Sequence, residues 1–379
     1  MFQLGVETFV KHLSQYVGTK RIGLITNPSA VSSKLESTLN ILTSTNQVSA
    51  LFGLEHGVRG NVQAGDQVKS SVDEKTGLPV YSLYGATRKP TSEMLQEVDC
   101  LVFDIQDVGC RFYTYLYSLL YILEAAKESG LPVFVLDRPN PLGGQIVRGN
   151  ILEEEYISFV GYPIPIQYGL TIGELAHYFN EIRDIHADLT VVPMEGWKRE
   201  HRWEDTALSW VPPSPNIPTI DTVKVYPGMC FFEGTNVSEG RGTTRPFETI
   251  GAPWIDAEDL SAKMNRKSIP GVVFRPTYFT PMFSKHEGKL CQGVQLHITD
   301  DGVFESIQTA VFLLEVLRND YPEFSFIEPP GRRYFFDLLA GTRELRTALE
   351  EKVSVTAVLE TWEKEAKEFD AVRRQYFLY

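Results

Sequence analysis

The chain has 379 residues, with 36 Lys plus Arg against 49 Asp plus Glu, a formal net charge of −13. Hydrophobic residues make up 43% and charged residues 22%, which is globular composition rather than disorder, and the length allows a sizeable core. The acidic balance argues against polyanionic partners, so neither nucleic acid nor an anionic membrane surface is an expected partner.

The N-terminal "MFQLGVETFVKHLSQY" has no basic region followed by an apolar stretch and a cleavage site, and reads as a short amphipathic helix. No apolar run is long enough to span a bilayer. The expected compartment is the cytoplasm, or the periplasm or exterior if an export signal has been trimmed from the sequence. Strand candidates then alternate with helices. "RIGLIT" (Arg21–Thr26) is followed by a helix near Ser33–Thr43, "VSALFG" (Val48–Gly53), "LPVYSLYG" (Leu78–Gly85) and a helix beginning near Thr91. "DCLVFDIQ" (Asp99–Gln106) leads into a long helix closed by Gly130, then "PVFVLDRPNP", a helix over Thr171–Arg183 and the strand "DLTVVPM". Thr171 and Glu174 have capping-box spacing, and Leu116, Leu119, Leu120 and Leu123 give the long helix an apolar stripe.

This pattern predicts an α/β fold, a Rossmann-like and mostly parallel sheet covered by helices, over residues 1–205. From residue 206 the texture turns rich in Pro, Gly, Ser, Thr and aromatics. Helices near Asp256–Asn265 and Phe304–Leu317, the strands "GVVFRPTYF" and "GVQLHIT", and a helix from about Ser354 towards Arg374 follow. A smaller α+β domain over 206–379 is expected. The four cysteines, Cys100, Cys110, Cys230 and Cys291, form no CxxC pair and read as free buried thiols.

Chemistry is expected at the carboxyl ends of the strands, where open parallel sheets bind ligands. Those ends collect Asn27; Glu55, His56 and Arg59; Tyr84; Asp104, Gln106, Asp107 and Arg111; and Asp137, Arg138 and Asn140. Gly57 suits a tight turn that aims Glu55 and His56 into a cleft, and a glutamate there serves as a general acid or base or as a structural cap. Arg111 is a candidate for bidentate carboxylate binding or an internal salt bridge, and Tyr113 for an aromatic wall. "EGRGT" is a loop presenting Glu239 and Arg241. No G-x-G-x-x-G, GxxxxGK[ST] or G-x-S-x-G motif occurs, so nucleotide and serine-hydrolase chemistry lack their usual support, and no cofactor is expected. A metal held by Asp104, Asp107 and Asp137 is an alternative reading without a dedicated motif.

The ordered phrases "GLITNPSAV", "EHGVRG", "VYSLYG", "LVFDIQDVGCRFYTY", "VLDRPNPLGG", "SFVGYPIPIQYGLTIGEL", "SPNIPT", "YPGMCFFEGTNVSEGRGTTRPFETIGAPW" and "CQGVQLHITD" resemble the exo-β-N-acetylmuramidase family. The resemblance implies a Rossmann-like domain holding the cleft and a smaller C-terminal domain. The implied activity removes terminal N-acetylmuramic acid from the non-reducing end of peptidoglycan fragments, without a nucleotide cofactor. Peptidoglycan-derived disaccharides or muropeptides are the implied partners. It also maps the family's catalytic glutamate onto Glu55, its histidine onto His56 and its polar fourth-strand motif onto Asp104 to Tyr115. Leu54 stands where the family commonly has Pro, and Arg148-Gly149 where it has Glu-Gly.

Glycosidic cleavage calls for an acid and usually a second carboxylate. Glu55 is the expected acid, with Asp104, Asp107 and Glu239 as candidate partners, or the substrate's own acetamido group as the attacking atom. The lactyl carboxylate of the substrate is expected to meet Arg111 or Arg59. A non-catalytic sugar-binding protein is the other reading.

Overall fold

The computed structural model describes residues 2–60, 70–85, 87–328 and 333–379. Its first strands are β1 (Ile22–Thr26), β2 (Val48–Gly53), β3 (Ser71–Val72), β4 (Pro79–Ser82), β5 (Cys100–Asp104) and β6 (Val133–Leu136). β7 (Arg148–Ile151), β8 (Pro165–Gln167) and β9 (Leu189–Val192) complete the first half. A seven-stranded sheet runs in the order β3-β4-β2-β1-β5-β6-β9. Every pairing in it is parallel except β3 with β4. β1 and β5 lie in register from Ile22↔Cys100 to Thr26↔Asp104, and both are buried throughout.

Alternation along these strands sorts two apolar faces. Ile22, Leu24, Val102 and Leu136 join Val6 and Phe9 of the Gly5–Lys11 helix and Leu39 and Leu42 of the Thr38–Thr43 helix. Ile25, Phe103 and Val135 face the other way, into the cluster holding Leu116, Leu119, Leu120 and Leu123 of the Tyr115–Ser129 helix. Gly130 ends that helix in the left-handed conformation, φ 65°. The Thr171–Glu174 capping box opens the Ile172–Ile182 helix.

The second half carries an antiparallel sheet of β10 (Thr249–Ala252), β12 (Cys291–Ile298) and β11 (Val272–Phe279), in the order β10-β12-β11. The helix Ala257–Arg266 packs on it, the helix Ser306–Asp320 packs on Ala257–Arg266, and the long helix Thr356–Arg373 returns to β7. Its core is continuous with the first: Phe231, Leu314 and Trp362 belong to the same apolar cluster as Phe103.

Three secondary-structure expectations need correction. Residues near Thr91 form turns, not a helix, and the Ser33–Thr43 helix is confined to Thr38–Thr43. The Pro-rich stretch contains a helix, Ile220–Met229, with Pro227 in its last turn. The expected boundary at 206 falls at the end of a short 3₁₀ helix, Trp203–Thr206, and the loop beyond it still packs on the first domain, where Pro213 O accepts from Asn27 (3.3 Å) and Tyr115 (2.9 Å). Among the described residues no helix is long and apolar enough to cross a membrane.

Candidate active site

The chain builds outward from β1 through β2 to β4, then crosses to β5, β6 and β9. The topological switch point therefore lies between β1 and β5, the usual ligand crevice of such sheets. Here the protein fills it with its own side chains. Asp104, fully buried, is paired with Arg138 and accepts from Thr38 Oγ1 at 2.6 Å. Arg138 also reaches Val31 O at 2.9 Å. Gln106 donates to the carbonyls of Asp107 and Pro139 at 2.8 Å each, and Asn27 accepts from the backbone and hydroxyl of Ser29. A hollow of only ≈ 20 Å³ remains beside Ser29, Gln106 and Arg138.

The cavity that gathers reactive groups lies to one side, beyond β2 and β4 and over the start of the Tyr115–Ser129 helix. It measures ≈ 160 Å³ and is lined by Glu55, His56, Tyr84, Tyr113 and Thr114 from the first domain, by Ser214 and Asn216 of the crossing loop, and by Tyr226, Glu233, Arg241 and Phe247 beyond it. A larger hollow of ≈ 630 Å³ lies between β7 and the Thr356–Arg373 helix. Much of its charge is matched within its own walls, as in Arg148–Glu305 and Lys367–Glu363, both at 2.8 Å.

Glu55 leaves β2 on a turn closed by Gly57 N donating to Leu54 O at 2.9 Å. His56 (φ 72°) and Gly57 (φ 71°) are both left-handed, as the turn requires. For His56 this is an uncommon conformation, of the kind that concentrates at functional sites. Tyr84 Oη lies 3.1 Å from Glu55 Oε1 and Thr114 Oγ1 3.2 Å from Oε2. Tyr115 Oη, whose one proton is shared between Pro213 O (2.9 Å) and Glu55 O (3.2 Å), ties the Glu55 backbone to the crossing loop. Hydroxyls donate to a carboxylate and accept from a carboxylic acid, so this setting serves both charge states. Among the described residues the buried Tyr113 hydroxyl has no hydrogen bond of good geometry, and Ser214, on the same wall, is a looser neighbour. Burial raises its pKa well above the ordinary value, so it remains a donor. A buried donor of this kind on a cavity wall marks a place for a ligand's acceptor.

Across the cavity, Arg241 Nη2 donates to Glu233 Oε1 at 2.8 Å, and its Nε lies 3.3 Å from Glu239 Oε1. Burial lowers the Arg241 pKa, but Glu233 and Glu239 raise it overall. Glu239, 2% exposed, is also held by Lys285 at 2.8 Å. The sequence points to Glu239 as this loop's carboxylate; the one from this segment that lines the cavity is Glu233, near the end of a 3₁₀ turn, Cys230–Gly234. Its signal was the "FFEGTN" phrase opening the Gly-rich loop.

The other expected groups stand elsewhere. Asp107 is buried and accepts from Tyr168 Oη and from Gly109 N (2.8 Å), while Oδ1 has no well-formed hydrogen bond among the described residues; burial pushes its pKa up to about 6. Asp137 accepts from Thr171 Oγ1, Gly173 N and Tyr379 Oη, each at 2.8 Å. Asn140 bridges Leu170 O and Leu142 N, both at 2.9 Å. Arg59 pairs with Asp73 through Nε (2.9 Å) and Nη2 (2.8 Å). Arg111 is fully buried and directs its guanidinium to the carbonyls of Asn150, Ile164, Leu339 and Ala340 at 2.7–3.0 Å. It serves the domain junction, not the cavity, and burial lowers its pKa to about 10. Asp104, Asp107 and Asp137 are thus each bound by protein donors. Among the described residues no group of three or more His, Cys, Asp or Glu is placed to hold a metal ion.

Fold and site define a two-domain α/β protein with an aromatic hollow that takes a carboxylate from each half. Residues 22–221 and 224–379 match the N-terminal and C-terminal parts of exo-beta-N-acetylmuramidase NamZ, and the chain belongs to that family. Peptidoglycan beta-N-acetylmuramidase NamZ of Bacillus subtilis (strain 168) is 52% identical over 381 residues, covering 100% of this chain and 91% of that protein. Two crystal structures of DUF1343 family proteins from Bacteroides fragilis share the fold over 100% of this chain and 99% of theirs. One has a TM-score of 0.91 at 39% identity, the other 0.78 at 30%.

Proposed function

We propose that the chain is an exo-acting glycoside hydrolase that releases β-1,4-linked N-acetylmuramic acid from the non-reducing end of peptidoglycan fragments. The observation that carries this reading is the placement of Glu55 and Glu233 on the walls of one aromatic cavity that spans both domains. Glu55 is the acid: it protonates the glycosidic oxygen as the bond to the anomeric carbon breaks, and recovers its proton from the incoming water. Tyr84 and Thr114 hold its oxygens in both states. Glu233 is the second carboxylate, turned to the reacting sugar by Arg241, where it orients either the water or the substrate's acetamido group. Aromatic walls from Tyr113, Tyr226 and Phe247 pack against the sugar ring and exclude water.

The reading is tested with a chain-end pair of substrates. Oligosaccharides ending in N-acetylmuramic acid are expected to lose one sugar at a time from that end. The same chains capped there with N-acetylglucosamine are expected to persist. Mid-chain cleavage of the capped chains would contradict an exo mode.

A further inference from the structure

Arg241 occupies a built position. Gly240 and Gly242 flank it at φ 80° each. A Cβ on Gly240 would come within 2.7 Å of Thr249 O, and one on Gly242 within 2.5 Å of Phe283 O, so the backbone is packed on both sides. Thr243 Oγ1 closes the turn on Gly240 O at 2.6 Å, and Met282 N donates to Gly242 O at 2.9 Å. The guanidinium lies 5.1 Å from the centroid of Phe247.

Arg241 and Lys285 balance Glu233 and Glu239 in charge. Because Lys285 also pairs with Glu239, Arg241 is not that carboxylate's sole counter-ion. A guanidinium has five N–H donors. Among the described residues the one hydrogen bond from this guanidinium to protein is Nη2 to Glu233, and the side chain is 22% exposed. Among the described residues that line the cavity, Arg241 is the only Lys or Arg. Arg59, Arg111 and Arg138 are engaged with protein acceptors elsewhere.

We infer that Arg241 is the subsite for a carboxylate on the substrate's sugar ring, and that it selects N-acetylmuramic acid, whose lactyl ether ends in a carboxylate, over N-acetylglucosamine, which lacks one. The inference rests on the function proposed above and adds the residue that reads the substrate. A planar fork of donors suits a carboxylate, and its fixed backbone holds that fork in place before the sugar arrives.

The test uses two aryl β-N-acetylmuraminides, one with the lactyl carboxylate intact and one with it converted to the neutral methylamide. The wild-type protein is expected to prefer the carboxylate in kcat/KM by roughly 30-fold, the range of a charge-assisted hydrogen bond. Arg241→Gln also loosens Glu233, so it is expected to slow both glycosides but the carboxylate one about tenfold more, bringing the two rates within about threefold, with Arg241→Lys falling between. Equal wild-type turnover of both glycosides, or an equal proportional loss on both in Arg241→Gln, would overturn the assignment. If Arg241→Gln melts before assay, the wild-type ratio and Arg241→Lys decide. If the wild-type protein cleaves neither glycoside, the proposed function fails, and calorimetry with free N-acetylmuramic acid and N-acetylglucosamine reads the inference alone. Tighter binding of the acid sugar that disappears in Arg241→Gln and is reduced in Arg241→Lys supports it; equal affinity overturns it.

Discussion

Two hydroxyls on separate elements grip the carboxyl of Glu55, Tyr84 from beyond β4 and Thr114 from the start of the long helix. Removing one leaves the acid in place but with one torsion less constrained. Tyr84→Phe is therefore expected to lower kcat/KM about tenfold, less than loss of the acid, with the melting temperature nearly unchanged. Asp107 tests a different property. Burial raises its pKa to about 6, above the value near 4 of an unfolded aspartate, so the native state keeps a proton that the unfolded chain releases. Its contribution to stability is complete below pH about 4 and is lost as the pH rises through about 6. Asp107→Asn is expected to flatten the fall in melting temperature between those values; an unchanged slope would remove Asp107 from that role.

At the scale of elements, the polar strand ends divide into two populations. Sequence patterning made the rim visible, because Asp104, Gln106, Asp137, Arg138 and Asn140 all follow apolar runs. It did not show which groups face a ligand. That depends on partners distant in the chain: Thr38 and Arg138 for Asp104, Tyr379 for Asp137, and the Leu339 and Ala340 carbonyls for Arg111. Local geometry was more legible, since the left-handed turn at Gly57 and the Thr171 capping box depend on neighbours within a few residues. Glu233 is not legible in the sequence because its turn lies inside a Pro- and Gly-rich stretch with no periodicity. The Asp104–Arg138 pair gives this division a test. Arg138→Met leaves a buried carboxylate uncompensated and is expected to destabilise the fold by about 3–5 kcal/mol in denaturant unfolding. Such a loss places the pair in the scaffold; full stability of the variant would contradict that.

Across the whole molecule, buried arginines lock the halves together in both directions. Arg111 runs from the first domain to the end of the Phe335–Ala340 helix, where helix carbonyls lack internal partners. Arg373 returns from the C-terminal helix to the carbonyls of Gly144, Gly169 and Gln145. The last residues extend this contact: Leu378 N donates to Glu174 at 2.9 Å, Tyr379 Oη to Asp137, and Phe377 packs under Arg199. A rigid junction is what a cavity built from both halves needs, because Glu55 and Glu233 keep their separation only if the domains do. Deleting residues 377–379 is expected to lower stability by about 2–4 kcal/mol and to reduce kcat on the same preparation. A truncated chain with unaltered melting temperature would separate the tail from the junction.

The central claim is that Glu55, inside this hollow, supplies the proton for cleavage. Wild-type protein and Glu55→Gln are incubated with the disaccharide carrying N-acetylmuramic acid at its non-reducing end, and products are followed by mass spectrometry while calorimetry measures binding. The account predicts free N-acetylmuramic acid from the wild-type protein, and release from Glu55→Gln slower by about 10²–10⁴-fold with the disaccharide still bound. Release at the wild-type rate from Glu55→Gln would contradict it.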